Sequence, residues 1–445
     1  MTKKKNIKKE TKVLVNNTIM MYIMSIAKII IPLVSLPYLT RVLSVDCYGS
    51  VSFVKSIISY VQIIIDFGFL LSATKDIVLL LKNGQETSEK IGNTLYARIL
   101  LCIFAFIPFI IITFCLRIMK GYEIFALLYF LNSVLTIFLF EYVFRAYQKM
   151  GKISIRYVIM KLISLALTLI FIKGDADIIL MPIFDIVATI IAIIMVGIEM
   201  KKMGVSINFN FRKIKEAFIE LKSSFIYFLS NFAGTAFSIL NTLIIGIFLD
   251  KTDVAYWSLA LQVIGVIQTF YDPIINSVYP VMIEKKELNY IHKILMIYMP
   301  LIFIGCVLII LLGDWAVTFV FGDSYLEVSR LIKLLIPLII ISFPAMLYGW
   351  PCLGPINKQN QATLSSIIAA IIQVIGLVFL AIIHQFNLIG IIIVRNVTEF
   401  SLFVIRFTIC YKNKSLFDKN NIQDKDDLSN EILYETIIDS KENDV

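Results

Sequence analysis

The sequence predicts an all-α polytopic membrane protein of about twelve transmembrane helices in two six-helix bundles, with both termini in the cytoplasm. Three observations carry this expectation. Of the 445 residues, 59% are hydrophobic and only 16% charged. The apolar residues gather into long continuous runs, and the basic residues crowd into alternate loops. A soluble domain averages about 45–50% apolar and about 25% charged residues, so a single core could not hide this much apolar surface. A bilayer needs only about 20 apolar residues per helical span. Runs of that length read as helices, because a barrel strand crosses in about 9–11 residues and alternates in polarity.

Spans are expected at 15–38, 49–71, 94–116, 122–144, 156–172, 177–199, 223–248, 255–280, 291–313, 331–350, 363–384 and 388–410. Ahead of the first lies a basic arm, residues 1–14, beginning MTKKKNIKKETK. The apolar stretch behind it is too long for a signal-peptide h-region and no A-x-A-like site closes it, so the first span is expected to stay in the protein.

Orientation follows from Lys and Arg in the loops. With the N-terminus inside, the outer loops hold Arg41, Arg117, Lys120, Lys173, Lys251 and Arg330, while most of the 41 basic residues fall to the inner side. The net charge of +9 is thereby explained without nucleic acid: basic arms lie against an anionic leaflet. The inner connection 201–222, with Lys201, Lys202, Arg212, Lys213, Lys215 and Lys222, separates an N-terminal lobe (15–200) from a C-terminal lobe (223–410), and a polar tail follows at 411–445.

Several function classes are disfavoured. The six cysteines stand singly, without C-x-x-C spacing, and His292 and His384 lie far apart, so neither a metal nor another cofactor is expected. No G-x-S-x-G, H-E-x-x-H, P-loop or Rossmann glycine pattern occurs, so the chain does not read as an enzyme. The longest outer loop, 314–330, is too short to house the catalytic domain of a glycan polymerase or glycosyltransferase.

The informative residues are polar ones inside apolar helices, where lipid makes them costly and a protein or water contact is needed. Span 1 carries Thr18, Ser25, Lys28 and Ser35 on one face, with Lys28 near the midplane. Span 2 carries Lys55, Ser56, Ser59, Gln62 and Asp66. Span 7 carries Asn231, Thr235, Ser238 and Asn241, and span 8 carries Ser258, Gln262, Gln268 and Asp272. These spans are equivalent pairs in the two halves, and the stripes suggest a wet cavity lined by all four. The competing explanation is that such side chains bond helix to helix, or back to their own backbone. For Lys55 snorkelling also competes. Arg98 and Lys161 are further candidate cations near the inner edge, Arg395 and Glu399 can satisfy each other at i, i+4, and Asp185 is an isolated intramembrane carboxylate that could couple a proton. A faint internal repeat agrees: SYVQIIIDFGFLLSATKDI aligns with GVIQTFYDPIINSVYPVMI, placing Gln62 and Asp66 on Gln268 and Asp272 at one constant offset.

Three segments resemble a known family: PYLTRVLSVDCYGSVSF (Pro37 to Phe53), DFGFLLSATKDI (Asp66 to Ile77) and EYVFRAYQKMGKISIRYVIMKLISL (Glu141 to Leu165). They are similar to the Wzx-type polysaccharide flippases of the multidrug/oligosaccharidyl-lipid/polysaccharide exporter superfamily. The resemblance covers residues 15–200 strongly, and the second half mainly through span count and layout. It implies two six-helix bundles around a central cavity lined by spans 1, 2, 7 and 8. It implies a substrate, undecaprenyl-diphosphate-linked oligosaccharide, moved from the inner to the outer leaflet of a bacterial cytoplasmic membrane for O-antigen, capsule or exopolysaccharide assembly. A polymerase and other assembly proteins would be its partners, besides membrane lipids. A cationic cavity would suit the diphosphate, and Lys28 and Lys55 match that expectation in kind; the second half offers few midplane cations. A drug/cation antiporter or lipid II flippase of the same superfamily, or a membrane glycan polymerase, are the alternatives.

Overall fold

A computed structural model describes residues 2–209 and 214–417, except for the side chains of 2–16, 18, 230–231 and 233–239. The side chains of the basic arm and of Thr18, Asn231, Thr235 and Ser238, part of the inner connection and the tail beyond 417 therefore lie outside the described residues. The described chain is helical, with no strand. In order the helices are α1 (Thr2–Val42), α2 (Val45–Asp66), α3 (Phe69–Lys82), α4 (Ser88–Cys115), α5 (Glu123–Leu135), α6 (Glu141–Ala146), α7 (Met150–Phe171) and α8 (Leu180–Lys202). They continue with α9 (Ile214–Phe248), α10 (Lys251–Thr269), α11 (Asp272–Lys285), α12 (Leu288–Phe321), α13 (Leu326–Leu334), α14 (Ile336–Leu347), α15 (Trp350–Leu353), α16 (Gln359–Ile382) and α17 (Leu388–Lys412). Among the described residues ten segments are long and apolar enough to cross a membrane. Together with α2–α3 and α9 they make up the twelve spans, and the protein is a multi-pass membrane protein.

The helices form two compact units. The first comprises the chain up to Ser258 together with Val317–Glu327, and the second comprises Leu259–Ala316 and the chain from Val328 onward. In the first, α1 packs on α7, α7 on α8, α5 on α8 and α2, α2 on α4 and α9, and α3 on α6 and α9. In the second, α17 packs on α14 and α16, and α15 bridges α11, α14 and α16. The expected lobes met at 201–222, whereas the units divide within α10, so α9 belongs with the first.

Four spans expected as single helices are broken. Span 2 stops at Asp66, where Phe67 (φ 39°) and Gly68 (φ 75°) are left-handed, and resumes as α3. The Phe67 ring stacks on Phe228 at 4.5 Å, which offsets the strain of a left-handed aromatic residue. Span 4 passes through a 3₁₀ turn, Thr136–Leu139, and left-handed Phe140 (φ 46°) before α6. Span 8 breaks between α10 and α11, and span 10 between α14 and α15. The α2–α3 and α10–α11 breaks occur in the equivalent spans of the two halves but not at the offset of the internal repeat: Asp66 ends α2, whereas its counterpart Asp272 opens α11. No Gly or Pro precedes the α5 break, so hydropathy alone could not have found it.

A break inside the membrane frees backbone carbonyls that lipid cannot satisfy, so protein groups must. Arginines do so here. In the first unit Arg98 Nη1 donates to Ile137 O (3.3 Å) and Arg156 Nη1 to Leu139 O (2.8 Å). Their other ends pair with Asp66 (2.6 Å) and Glu141 (2.9 Å). In the second unit Arg406 Nη1 donates to Ala345 O (2.7 Å), and its Nε and Nη2 donate to Ser365 and Ser366 Oγ (3.1 and 3.0 Å).

A Cβ on Gly68 would lie 2.7 Å from Phe228 N, at a φ that L-residues rarely adopt. The backbone conformation alone costs an alanine about 1–2 kcal/mol, and the clash adds to that. Gly68→Ala is expected to lower the apparent melting temperature in detergent and the monodisperse fraction on gel filtration; an unchanged melt would show that α3 can shift freely.

Candidate functional site

The first unit holds a polar cluster drawn from α1, α2, α5, α7 and α8. Lys28 Nζ sits over the Tyr157 ring, 5.5 Å from its centroid, and Lys55 Nζ over the Tyr129 ring at 5.9 Å. Tyr129 hydrogen-bonds to Asp185. Ser164 Oγ donates to the same carboxylate at 2.7 Å, and Lys161 Nζ lies 3.7 Å from it. Lys55 is close enough to Asp185 and Lys161 to feel both charges. Beside this, Thr189 Oγ1 donates to Asn132 Oδ1 at 2.8 Å.

Helix periodicity explains how one sequence delivers these groups to one place. Tyr157, Lys161 and Ser164 stand at i, i+4 and i+7 on α7. Asp185 and Thr189 stand at i, i+4 on α8, and Tyr129 and Asn132 at i, i+3 on α5. Spans 4, 5 and 6 thus carry polar stripes of their own. That signal was present in the sequence, but hydropathy hides it because tyrosine counts as apolar.

The electrostatic balance is uneven. Lys55 and Lys161 share one carboxylate, Asp185, and Lys28 stands over Tyr157 one turn of α7 from Lys161. Lys28 and Lys55 remain exposed and rest on aromatic faces. A ring attracts an ammonium by about 0.5–2 kcal/mol, yet it leaves the charge uncancelled. A carboxylate partner would cancel it. This face therefore keeps a positive charge that an anion can meet.

The other sequence candidates divide as follows. Ser25 and Ser59 are turned back on their own helices, donating to Met21 O (3.1 Å) and Lys55 O (2.8 Å). Gln62 Nε2 donates to Asp66 Oδ2 (3.1 Å) and contacts Thr136 Oγ1 (3.3 Å), so Gln62 and Asp66 join the Arg98 network at the helix breaks. Arg98 is buried, 8% exposed by its side chain, and engaged there. Asn241 is buried on α9. In the second unit Gln262 and Gln268 are half-buried on α10, and Asp272, the first residue of α11, is exposed. Asn231 lies outside the described side chains. Arg395 and Glu399 pair at 3.1 Å. Among the described residues no cluster of His, Cys, Asp or Glu could hold a metal ion. The sequence reading missed Arg156, Arg406 and the two tyrosines under the lysines.

The chain is similar to several known proteins. A family model described as "Polysaccharide biosynthesis protein" matches residues 14–286. A protein of Shigella dysenteriae named "Putative O-antigen transporter" is 23% identical over 368 residues, covering 81% of this chain and 91% of the relative. One of the same name from Escherichia coli (strain K12) is 22% identical over 374 residues, covering 81% and 88%. Among solved structures, the lipid II flippase MurJ in an inward closed conformation superposes with a TM-score of 0.63 at 13% identity, covering 87% of each chain. An inward-facing multidrug resistance MATE family transporter of the MOP superfamily gives 0.60 at 11% identity, covering 86% of this chain and 98% of its own. At these identities the structural likeness concerns the fold, which in these neighbours is the twelve-helix, two-bundle arrangement.

Proposed function

The chain belongs to the polysaccharide biosynthesis protein family, and from that premise we propose that it is a flippase for undecaprenyl-diphosphate-linked oligosaccharide repeat units. It works in the bacterial cytoplasmic membrane, N- and C-termini inside, moving its substrate from the inner to the outer leaflet for O-antigen, capsule or exopolysaccharide assembly. It is a transporter and not an enzyme. The observation that carries the substrate class is the pair Lys28 and Lys55, each held over a tyrosine ring with its charge uncancelled.

In this reading the diphosphate meets Lys28 and Lys55 from the inner leaflet, and Lys161 stands behind them. Polar side chains of this cluster such as Asn132 bond the glycan, and the polyprenyl tail stays in the bilayer. Alternating access then exposes the headgroup to the outer side. A diphosphodiester carries about two negative charges, so outward movement against an inside-negative potential gains about 2.3 kcal/mol per charge per 100 mV. Asp185, bonded by Tyr129 and Ser164 beside Lys161, is the proton-coupling candidate: protonated, it leaves the lysines to the substrate. The polymerase that consumes the exported units is the expected partner.

The test is reconstitution. Proteoliposomes receive a fluorescent undecaprenyl-diphosphate oligosaccharide in the inner leaflet, and a membrane-impermeant iodide quencher reports its arrival outside. Protein-dependent quenching is expected for this lipid, and none for a cationic drug dye. Transport of the dye alone would replace the flippase reading by the antiporter one. Transport of lipid II in preference to the oligosaccharide lipid would reassign the substrate.

A further inference from the structure

We propose that each unit carries a binding site for an anionic phospholipid of the inner leaflet, in the groove between the last two spans of its half of the sequence. Neither groove includes a residue of the Lys28–Lys55 cluster, so these sites stand apart from the transported substrate.

The first turns of α7 meet the last turns of α8 at the inner edge of the bilayer, the side that the loop lysines and arginines mark. An open groove of about 240 Å³ lies there, lined among others by Lys152, Ile155, Arg156, Met195, Ile198 and Glu199. The second half repeats the arrangement. Between the first turns of α16 and the last turns of α17 lies a groove of about 290 Å³, lined among others by Gln361, Leu364, Ile368, Ile405, Ile409 and Lys412. Each is larger than the roughly 150 Å³ apolar cavity that holds a benzene ring. The walls are open to lipid: Ile155 is 46% exposed, Ile198 51% and Leu364 53%. A groove of this shape and lining fits an acyl chain. Moving from bilayer to groove exchanges one apolar surrounding for another, so selectivity must come from the head group.

The charge at each mouth favours an anion. At the first, Lys152 Nζ and Lys202 Nζ share Glu199, at 3.1 and 3.2 Å. Two ammonium groups against one carboxylate leave a surplus positive charge, and both side chains stay accessible. Arg156 is deeper and already committed to Glu141 and Leu139 O. At the second, Lys412 stands exposed in the last turn of α17 and forms no ion pair among the described residues. Gln361 lines the same groove from α16 and offers an amide. Basic sites between membrane helices on the cytoplasmic side suit anionic lipid head groups. An apolar slot beneath a lysine, found once in each half, matches a phosphodiester carrying an acyl chain.

Native mass spectrometry tests this. Protein stripped of lipid in detergent is titrated with dioleoyl phosphatidylglycerol or dioleoyl phosphatidylcholine. Two phosphatidylglycerol molecules are expected to bind, each roughly fivefold or more tighter than phosphatidylcholine, since one lysine at an anionic surface is worth about that factor. Lys412→Ala weakens one adduct by about fivefold, and Lys412→Arg keeps it. Lys152→Ala with Lys202→Ala weakens the other by about twenty-five-fold, the product of two lysines. Leu364→Trp fills the second groove without touching its charge and also lowers that adduct, which a diffuse attraction to the surface would not do. Unchanged gel-filtration profiles check the fold of these surface variants. Equal binding of the two lipids, adducts that survive all three lysine changes, or an adduct indifferent to Leu364→Trp would overturn the proposal. So would undecaprenyl phosphate displacing phosphatidylglycerol from both sites at equimolar amounts, which would give the grooves to the transported lipid's tail. These affinities are read without transport, so failure of the flippase reading leaves them standing.

Discussion

Under the proposed flippase function, replacing Lys28 and Lys55 together by alanine is expected to reduce export of lipid-linked glycan to background at normal protein levels. At about 4 Å from a phosphate each ammonium gains roughly 4 kcal/mol of attraction at an effective dielectric of 20. Much of that offsets desolvation, and hydrogen bonds to charged groups net about 1.5–3 kcal/mol each. Losing two removes about 3–6 kcal/mol, a hundredfold or more in binding. Lys28→Arg with Lys55→Arg restores part of the export, because charge returns while the fit over Tyr157 and Tyr129 changes. Surface polysaccharide is measured in cells lacking the native gene, with immunoblots for protein level. Undiminished export by the double alanine variant would remove both lysines from the mechanism and take the substrate assignment with them.

The second large effect concerns the fold. Arg98 is 8% exposed by its side chain and Asp66 42%, so the partners of this ion pair are not equivalent. Asp66→Leu strands a buried guanidinium, which costs about 3–5 kcal/mol. Arg98→Met leaves a carboxylate that can still reach water and one unsatisfied carbonyl at Ile137, worth about 1–3 kcal/mol. The expected order of thermal stability in detergent is wild type, then Arg98→Met, then Asp66→Leu. The Asp66→Leu/Arg98→Met double variant should sit above Asp66→Leu alone, since the stranded charge is gone. Equal damage from the two single changes would show that the guanidinium finds another partner.

Much of this was legible from the chain alone. Apolar length yields the spans, and the superfamily arrangement follows from resemblance and layout. Lys28 and Lys55 stood out because a cation within an apolar run must snorkel, find a protein contact or meet an anion. What periodicity could not supply was the partner across space. Tyr157 and Tyr129 count as apolar in the composition, yet they are the rings on which the two lysines rest. Arg98 looked like another cavity cation; the break at Thr136–Phe140, which no Gly or Pro announces, gives it carbonyl and carboxylate partners instead. Ser25 and Ser59 sat on the right stripe, but serine bonds its own helix as readily as a ligand. The close approach at Gly68 is invisible in one dimension, since a glycine in an apolar run states nothing about the neighbour it admits.

The broken span α2–α3 also bears on how the chain gets into the membrane during synthesis. It is not among the ten segments apolar enough to cross on their own. At a helix centre Lys and Asp each oppose insertion by about 2.5–3.5 kcal/mol, so Lys55 and Asp66 together weigh about 5–7 kcal/mol against it. The carboxylate's partner, Arg98, lies 32 residues further along and leaves the ribosome later. The second span is therefore expected to partition into lipid together with the third, as an ion-paired hairpin. The charge pair that holds two helix breaks in the finished protein is, at its birth, a requirement that two helices be born together.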